Sequence, residues 1–152
     1  MKTNRTLIIS ITIFLCLICL LISGIGYFYL ANQPPNRLSD SGYYIRITKV
    51  YYYPGFGLSE PFEIANAHVS TFEILDETHQ YAKDINHVYF QGVIIPDADS
   101  QTFYMLSDIH RCAADENHVY YWENIIPNFD PNTIPPNATV TYCSPDEVLF
   151  TP

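Results

Sequence analysis

Four of the five histidines in the chain form two pairs with the same internal spacing. His79 and His87 make the first pair, and His110 and His118 make the second pair later in the chain. Neutral imidazoles bind zinc or copper well, so a metal-dependent hydrolase is one hypothesis for the function. The eight-residue gap within each pair is not typical of metal ligands, and equivalent positions of a repeat are usually a whole unit apart. We therefore predict solvent-facing strand histidines, with no metal and no cofactor.

The remaining nucleophilic and charged residues show no catalytic pattern. The serines have no glycine-flanked elbow, and no glycine-rich loop could hold a phosphate. Carboxylates are so numerous in this acidic chain that their pairing carries little information. No basic face with interleaved aromatic residues could bind nucleic acid. We predict that the protein is not an enzyme and has no nucleic-acid partner.

Two cysteines beyond residue 31, Cys112 and Cys143, could react with each other. In an oxidising compartment such thiols can pair. Closing a loop of about thirty residues would stabilise the fold by roughly 3–4 kcal/mol in the chain-entropy model. We predict this disulfide; two buried free thiols are the alternative. Cys16 and Cys19 lie in an apolar segment and are expected to be ordinary helix residues.

That apolar segment covers residues 7–31 and contains no charged residue. About twenty apolar residues cross a bilayer as a helix, because lipid offers the backbone no hydrogen-bond partners. Lys2 and Arg5 precede the segment, and positive charge favours the cytoplasmic side. The sequence therefore predicts a cytoplasmic N-terminus (1–6) and one transmembrane helix in the bacterial cytoplasmic membrane, with the rest of the chain in the periplasm or outside the cell. A cleaved signal peptide is the alternative, although its apolar run is usually only about 7–15 residues long.

The chain beyond the helix divides into a linker and one domain. Residues 32–42 combine prolines with Ser, Asp and Gly and are predicted to be the linker, so residues 43–152 form the domain. Beyond residue 31 there are five Lys or Arg residues against all 16 acidic ones, a formal net charge of −11. Such a surface should repel nucleic acid and anionic headgroups, and it could attract a basic protein. Solubility is the simpler explanation of the same charge.

The domain contains a ten-residue phrase written twice. Residues 81–90, YAKDINHVYF, match residues 112–121, CAADENHVYY, at Ala, Asp, Asn, His, Val and Tyr. The flanking segments and the two histidine pairs keep the same offset as the phrase itself. A degenerate earlier copy begins at residues 43–53 and is followed by an insertion of seven residues. The later copy loses its sequence similarity to the earlier one near residues 135–136.

Each copy is predicted to be two or three short antiparallel strands. Asp84 and Asn86 supply turn residues, and residues 87–90 are a β-branched and aromatic strand. Gln91 and Gly92 are typical of a hairpin. One hairpin alone is marginal in water, so neighbouring units should cover each other's apolar faces. The predicted fold is an N-terminal single transmembrane α-helix followed by a mainly-β domain of short antiparallel repeat units of about 31 residues each.

The repeated phrases resemble those of the DKNYY family. The resemblance rests on Asp-x-Asn-x-Val-Tyr followed by an aromatic residue, a pattern that begins at Asp84 and again at Asp115. It covers roughly residues 70–134, or 43–134 with the degenerate copy. Neither copy has the Lys of the family phrase, and Cys112 replaces the leading aromatic residue. The resemblance implies an exported or membrane-attached bacterial protein of unassigned activity, and no catalytic residues come with it.

The leading functional hypothesis is a membrane-anchored extracytoplasmic protein-binding module. Residues 54–69, PGFGLSEPFEIANAHV, contain the insertion, and Phe56 and Phe62 are predicted contact residues because loops on rigid scaffolds often carry recognition. A loop packed onto the sheet is the structural alternative. A more specific hypothesis is an immunity or inhibitor protein, since an acidic domain in the envelope could neutralise a basic toxin acting there. An envelope scaffold protein is an alternative function.

Overall fold

The structure is a computed structural model that describes residues 2–36, 39–55, 57, 59–135 and 138–151, with the backbone alone for residues 2, 3, 5 and 6. The chain separates into two compact units, and the division falls between Gln33 and Pro34. This division lies inside the segment predicted to be a linker.

The first unit is a single helix, α1, which spans Lys2–Ala31. Its segment Leu7–Ala31 has a mean hydropathy of 2.9 over its most apolar window, and none of that window is buried inside the protein. The 25 residues of this segment rise about 37 Å, which exceeds the ~30 Å hydrocarbon core of a bilayer. The helix is long and apolar enough to cross a membrane, a criterion that an N-terminal signal sequence also meets.

In the described part of the second unit, thirteen short strands form four antiparallel sheets, each built from strands consecutive in the chain. The first sheet contains β1 (Gly42–Ile45), β2 (Val50–Tyr53) and β3 (Phe62–Glu63). The second contains β4 (Glu73–Ile74), β5 (Tyr81–Lys83), β6 (Val88–Phe90) and β7 (Val93–Ile94). The third contains β8 (Tyr104–Ser107), β9 (Cys112–Ala114), β10 (Val119–Tyr121) and β11 (Asn124–Ile125), and the fourth contains β12 (Thr139–Cys143) and β13 (Val148–Thr151). Short 3₁₀ helices cover Val69–Thr71 and Pro131–Thr133. The prediction of an apolar N-terminal helix followed by a mainly antiparallel β domain is confirmed.

The second and third sheets have the same strand order and the same pairing. Tyr81 lies opposite Phe90 in the second sheet, and Cys112 lies opposite Tyr121 in the third. All four strands of the second sheet precede their counterparts in the third by one and the same interval along the chain. The two copies of the repeated ten-residue phrase therefore adopt the same local structure.

The apolar side chains form three cores, and each core lies between two successive sheets. Tyr81 belongs to the core between the second and third sheets, whereas Ala82 belongs to the core between the first and second. Side chains alternate between the two faces of a strand, so a sheet with neighbours on both sides buries both of its faces. All three residues of β6 and of β9 are buried for this reason. We call this arrangement the sheet stack.

Tyrosine hydroxyls link successive sheets of the stack. Tyr43, in the first sheet, donates its hydroxyl to Gln80 O at 3.0 Å and accepts a hydrogen bond from Gly92 N at 3.0 Å. Tyr81, at the equivalent position of the second sheet, has two carbonyl oxygens of the third sheet within hydrogen-bonding distance. These are Arg111 O at 2.9 Å and Trp122 O at 2.7 Å. Each hydroxyl thereby satisfies backbone groups of the next hairpin along the chain.

The fourth sheet is a hairpin that the sequence pattern did not predict, because the repeated phrase frays near residues 135–136. The β12–β13 turn is closed by a hydrogen bond from Ser144 N to Glu147 O at 2.9 Å. The β9–β10 turn is closed in the same way, from Asp115 N to His118 O at 2.9 Å. The turn geometry is thus retained although the residues that signal it have changed.

A disulfide joins the third sheet to this hairpin. Cys112 and Cys143 are bonded, with a Cα–Cα distance of 6.4 Å and a sequence separation of 31 residues. Both residues are buried in the core between the third and fourth sheets. The predicted pairing is confirmed, and Cys112 occupies the position that Tyr81 occupies one sheet earlier.

Candidate protein-binding groove

An open groove crosses the edge strands β3, β7 and β11 of three successive sheets. Its volume is about 740 Å³. Large apolar side chains supply much of its wall, namely Phe62, Val93, Ile94, Trp122 and Ile125. The other lining residues are Phe90, Gln91, Pro96, Asp97, Glu123 and Asn124. Because the three edge strands belong to different sheets, the groove runs across the stack.

The groove exists because the edge strands are very short and lie outside the cover of neighbouring sheets. Both residues of β3, of β7 and of β11 are exposed. Val93 is 64% exposed and Ile94 is 43% exposed. Soluble proteins usually protect sheet edges with charge, whereas an exposed apolar patch is typical of an interaction site. Among the described residues, the lining is therefore a feature that clearly indicates binding.

Trp122 stands at the groove with its ring held on several sides. Its backbone adopts a positive φ of 58°, at the turn between β10 and β11. The ring stacks 5.6 Å from the Tyr121 ring and 6.2 Å from the Phe90 ring, and the Arg111 guanidinium lies 5.4 Å from its centre. A ring already fixed in this way loses little entropy on binding, and Trp is enriched among residues that dominate binding energy.

One of the two predicted aromatic contact residues lines the groove. Phe62 is 40% exposed, and its ring lies 5.9 Å from the ring of Tyr52. Both side chains pack against Gly92, where an added Cβ would lie 2.6 Å from Tyr52 Cβ and 2.8 Å from Phe62 Cζ. Gly92 also has a φ of 81°, so only glycine fits this close approach comfortably. Phe56, the other predicted contact residue, lies outside the described residues.

The charges of the groove have one sign. Asp97 and Glu123 are the charged residues among its described lining, which includes no Lys or Arg. Arg111, beside the groove, is engaged over the Trp122 ring. The chain beyond residue 31 has a formal net charge of −11. An apolar surface with acidic neighbours complements a partner that is apolar and positively charged.

Asp84 is a buried carboxylate that ties two sheets together. It was predicted as a turn residue, and its Oδ1 does accept hydrogen bonds within its own turn. These come from Asn86 N at 2.7 Å and His87 N at 2.8 Å. Its Oδ2 accepts from His68 N at 2.7 Å, in the segment after the first sheet, and from the Tyr89 hydroxyl at 2.8 Å. The bond to His68, which local sequence patterns cannot reveal, connects the segment after the first sheet to the β5–β6 turn of the second sheet.

Asp115 repeats this arrangement one sheet later. Its four hydrogen-bond donors are Asn117 N at 2.8 Å, His118 N at 2.7 Å, Asp99 N at 2.9 Å and the Tyr120 hydroxyl at 2.7 Å. Burial by itself would raise the pKa of Asp84 and Asp115, but their hydrogen bonds outweigh burial and hold both pKa values below the usual range. Burial and the carboxylate partners raise the pKa of Tyr89 and Tyr120, so these phenols remain hydrogen-bond donors. Both carboxylates are therefore fully occupied by hydrogen bonds that hold their turns in place.

The histidines singled out in the sequence do not make a common site. His87 and His118 each lie beside the carboxylate of their own turn, with Nδ1 at 3.9 and 3.8 Å from the nearest oxygen. His79 and His110 lie in other turns, and His87 and His118 precede the first residues of β6 and β10. The prediction that these histidines lie in strands is therefore wrong, because the strands are one residue shorter than the pattern indicated. Within the described ranges, no group of three or more His, Cys, Asp or Glu residues is arranged to hold a metal ion.

Most of the groove residues were missed by sequence reasoning. Val93 and Ile94 form the strand that follows the predicted Gln91–Gly92 hairpin turn, but the hairpin pattern does not indicate whether their side chains are exposed. Trp122 and Ile125 were not singled out. The available signal was the single Trp of the chain placed in a hairpin turn, where a polar or glycine residue is expected.

The fold and the groove together define a class: an apolar N-terminal helix followed by a stack of small antiparallel sheets with an apolar groove along their edges. The DKNYY family model matches residues 43–114 of the chain, in agreement with the resemblance seen in the repeated phrases. The match includes the degenerate first copy with its insertion and extends through β9. No curated protein and no solved structure matches the chain.

Proposed function

We propose that this protein is a membrane-anchored, extracytoplasmic protein-binding module whose contact surface is the groove across β3, β7 and β11. The observation that carries the proposal is the apolar lining of that groove. Val93, Ile94 and Ile125 are exposed at sheet edges, and Trp122 is fixed beside them. Large apolar side chains at exposed edges favour aggregation unless a partner covers them, so a binding role accounts for their placement.

The proposed location is outside the bacterial cytoplasmic membrane, with the N-terminus inside. It is supported by the span-length helix, by the positive residues that precede it, and by a disulfide, a bond typical of oxidising compartments. Alkaline phosphatase fused to the C-terminus should be active in intact cells, because it matures only outside the cytosol. A green fluorescent protein fusion that is bright where the phosphatase fusion is inactive would reverse the orientation.

We also propose that the domain is built from stacked units of about 31 residues each, a length within the range of known repeat architectures. Support comes from the side chains that face the first sheet. Ala82 and Tyr89 of the second sheet face the first core, and the third sheet has Ala113 and Tyr120 at the equivalent positions. A chain lacking one unit should therefore place the third sheet directly on the first.

Deleting residues 76–106 tests these units, because it removes the length of one whole unit and joins equivalent positions. We expect a β-type circular dichroism spectrum and cooperative unfolding. The matched control removes residues 76–102, which breaks the register and should prevent folding. Equal loss of structure in both deletions would refute units of this length.

The binding role itself can be tested in living cells by site-specific photocrosslinking. A benzoyl-phenylalanine placed at Val93 lies in the groove, whereas one placed at Ile109, which is 88% exposed, lies away from the groove lining. We expect a discrete protein adduct from position 93 that is lost on Trp122→Ala, and none from position 109. The same adducts from both positions would argue against the groove as the contact surface.

The specific role we propose is an immunity or inhibitor protein against a basic toxin that acts in the envelope. The net charge of −11 beyond residue 31 and the acidic residues of the groove support it. Cells that express the chain should survive an exported basic toxin encoded by a neighbouring gene. Glu123→Gln should reduce protection, and Glu116→Gln, an exposed acid outside the groove lining, should not. Survival that is independent of the chain would refute the inhibitor role and leave the binding role standing.

A further inference from the structure

We propose that the groove binds an extended peptide segment in which an aromatic or large aliphatic residue is flanked by Lys or Arg. This inference rests on the proposed protein-binding function and names the chemistry of the partner segment. It is carried by two independent properties of the groove, its shape and its charge.

The shape fits a short segment. The volume of about 740 Å³ falls within the range of roughly 300–1,000 Å³ that binds drug-sized ligands. The lining comes from three successive sheets, so the groove is a channel across the stack that an extended chain can follow. Val93, Ile94 and Ile125 offer an apolar floor, and Trp122 offers a fixed ring against which an apolar side chain can pack.

The charge selects among the possible occupants. Asp97 and Glu123 line the groove, and the nearby cation Arg111 is engaged over Trp122. A second copy of the domain would bring another formal net charge of −11 from the chain beyond residue 31, with the same two acids at the contact. Anionic lipid headgroups would be repelled for the same reason. A cationic peptide segment is the occupant that satisfies both the apolar floor and the acidic residues.

The single Trp of the chain reports directly on this site. The full chain in nanodiscs of zwitterionic lipid is titrated with three synthetic peptide amides, and Trp122 emission is followed. The peptides are Lys-Phe-Lys-Leu-Lys, its acidic counterpart Glu-Phe-Glu-Leu-Glu, and Lys-Gly-Lys-Gly-Lys. We expect saturable binding of the first peptide at concentrations below about 1 mM, with little response to the other two.

Variants of the groove distinguish the contribution of its apolar floor from that of its acidic residues. Ile94→Ser should weaken binding of Lys-Phe-Lys-Leu-Lys by about tenfold, because it removes apolar floor. Asp97→Asn and Glu123→Gln should each weaken it by about threefold, with a smaller salt dependence than the unmodified chain. Asn tolerates the positive φ of 62° at position 97, so the turn is preserved. Glu116→Gln is the charge control and should bind like the unmodified chain.

Three results would overturn the inference. Equal binding of the acidic peptide would remove the role of charge, and equal binding of the glycine peptide would remove the role of the apolar floor. No response to Lys-Phe-Lys-Leu-Lys up to about 2 mM would show that the groove does not take such a segment. If the crosslink at position 93 persists in that case, the protein-binding function stands and only the partner chemistry is wrong.

Discussion

Two junctions between successive sheets of the sheet stack are held together by different kinds of bond. Between the second and third sheets, the Tyr81 hydroxyl lies 2.9 Å from Arg111 O and 2.7 Å from Trp122 O. Between the third and fourth sheets, the residue at the equivalent position is Cys112, and it is covalently bonded to Cys143. The first connection is a hydrogen bond from a buried phenol, and the second is a disulfide.

The difference follows from the size of the sheets that are joined. The third sheet has four strands and buries both faces, whereas the fourth sheet has two strands and buries only part of its residues. A two-stranded hairpin is marginal in water by itself. The disulfide thus joins the smallest of the four sheets to the stack, whereas a hydrogen bond joins two four-stranded sheets.

Of the changes that test this comparison, removal of the disulfide should lower the free energy of unfolding most. Cys112→Ala combined with Cys143→Ala should lower the free energy of unfolding by about 3–4 kcal/mol, because the loop closed by the bond is lost from the unfolded state. Urea denaturation of the detergent-solubilised chain, followed by Trp122 fluorescence, measures the loss. Hydrogen exchange should show that β12 and β13 lose protection before the other strands.

The matched control replaces Cys16 and Cys19 with Ala. Both are free and exposed on α1, so urea unfolding of the β domain should not change. Uniform loss of protection across all four sheets in the Cys112 and Cys143 variant would show that the fourth sheet does not depend specifically on the bond.

Replacing either of the two buried carboxylates, Asp84 or Asp115, should have the next largest effect. Asp84→Asn should lower the free energy of unfolding by about 2–3 kcal/mol, since an amide cannot accept from both His68 N and the Tyr89 hydroxyl while keeping the turn bonds. Asp115→Asn should cost a similar amount in urea denaturation. A much smaller cost at Asp115 would mean that the nearby disulfide makes its carboxylate link redundant.

The same carboxylates should make stability depend on pH. The pKa of Asp84 in the folded protein lies below its usual value of 3.8, so its stabilisation is complete above that value and is lost as the pH falls through the lowered folded-state pKa. The unmodified chain should therefore lose stability on acidification below about pH 4, and Asp84→Asn should flatten this part of the curve. Parallel curves for the two proteins in urea melts at several pH values would contradict the assignment.

The smallest change in the free energy of unfolding is expected at the junction between the second and third sheets, which is held by hydrogen bonds. Tyr81→Phe removes one hydroxyl and should lower the free energy of unfolding by about 1–2 kcal/mol, because carbonyl oxygens of the third sheet lose their donor while the ring still fills the core. The control is Tyr104→Phe, where the side chain is 47% exposed and little change is expected. A loss at Tyr81 as large as that of the disulfide would show that the two connections are equivalent in strength.

The backbone of the domain was largely predictable from local patterns. Residues 87–90 were predicted as a strand, and β6 covers Val88–Phe90. The Gln91–Gly92 hairpin turn has positive φ angles at both residues, of which glycine favours the second. The span-length helix was equally visible, because about twenty apolar residues are a signal that needs no tertiary information. The disulfide could be predicted because few cysteines were available to pair.

The candidate site was only partly predictable. Phe62 was identified from its place near the insertion, but Ile94 and Trp122 were not, because exposure of an apolar side chain depends on which neighbouring sheet covers it. The hydrogen bond from His68 N to Asp84 was missed for a similar reason, since His68 lies 16 residues earlier, in the segment between the first and second sheets.

The sequence by itself determined the apolar helix, the acidic charge, the hairpins and the constant interval between them, since each of these depends on residue types that can be read along the chain. Tertiary structure alone decided how the sheets meet, which residues become links between them, and that three short edges combine into one groove. Those outcomes depend on groups from different sheets coming together, and only packing of both faces of each middle sheet brings those groups into contact.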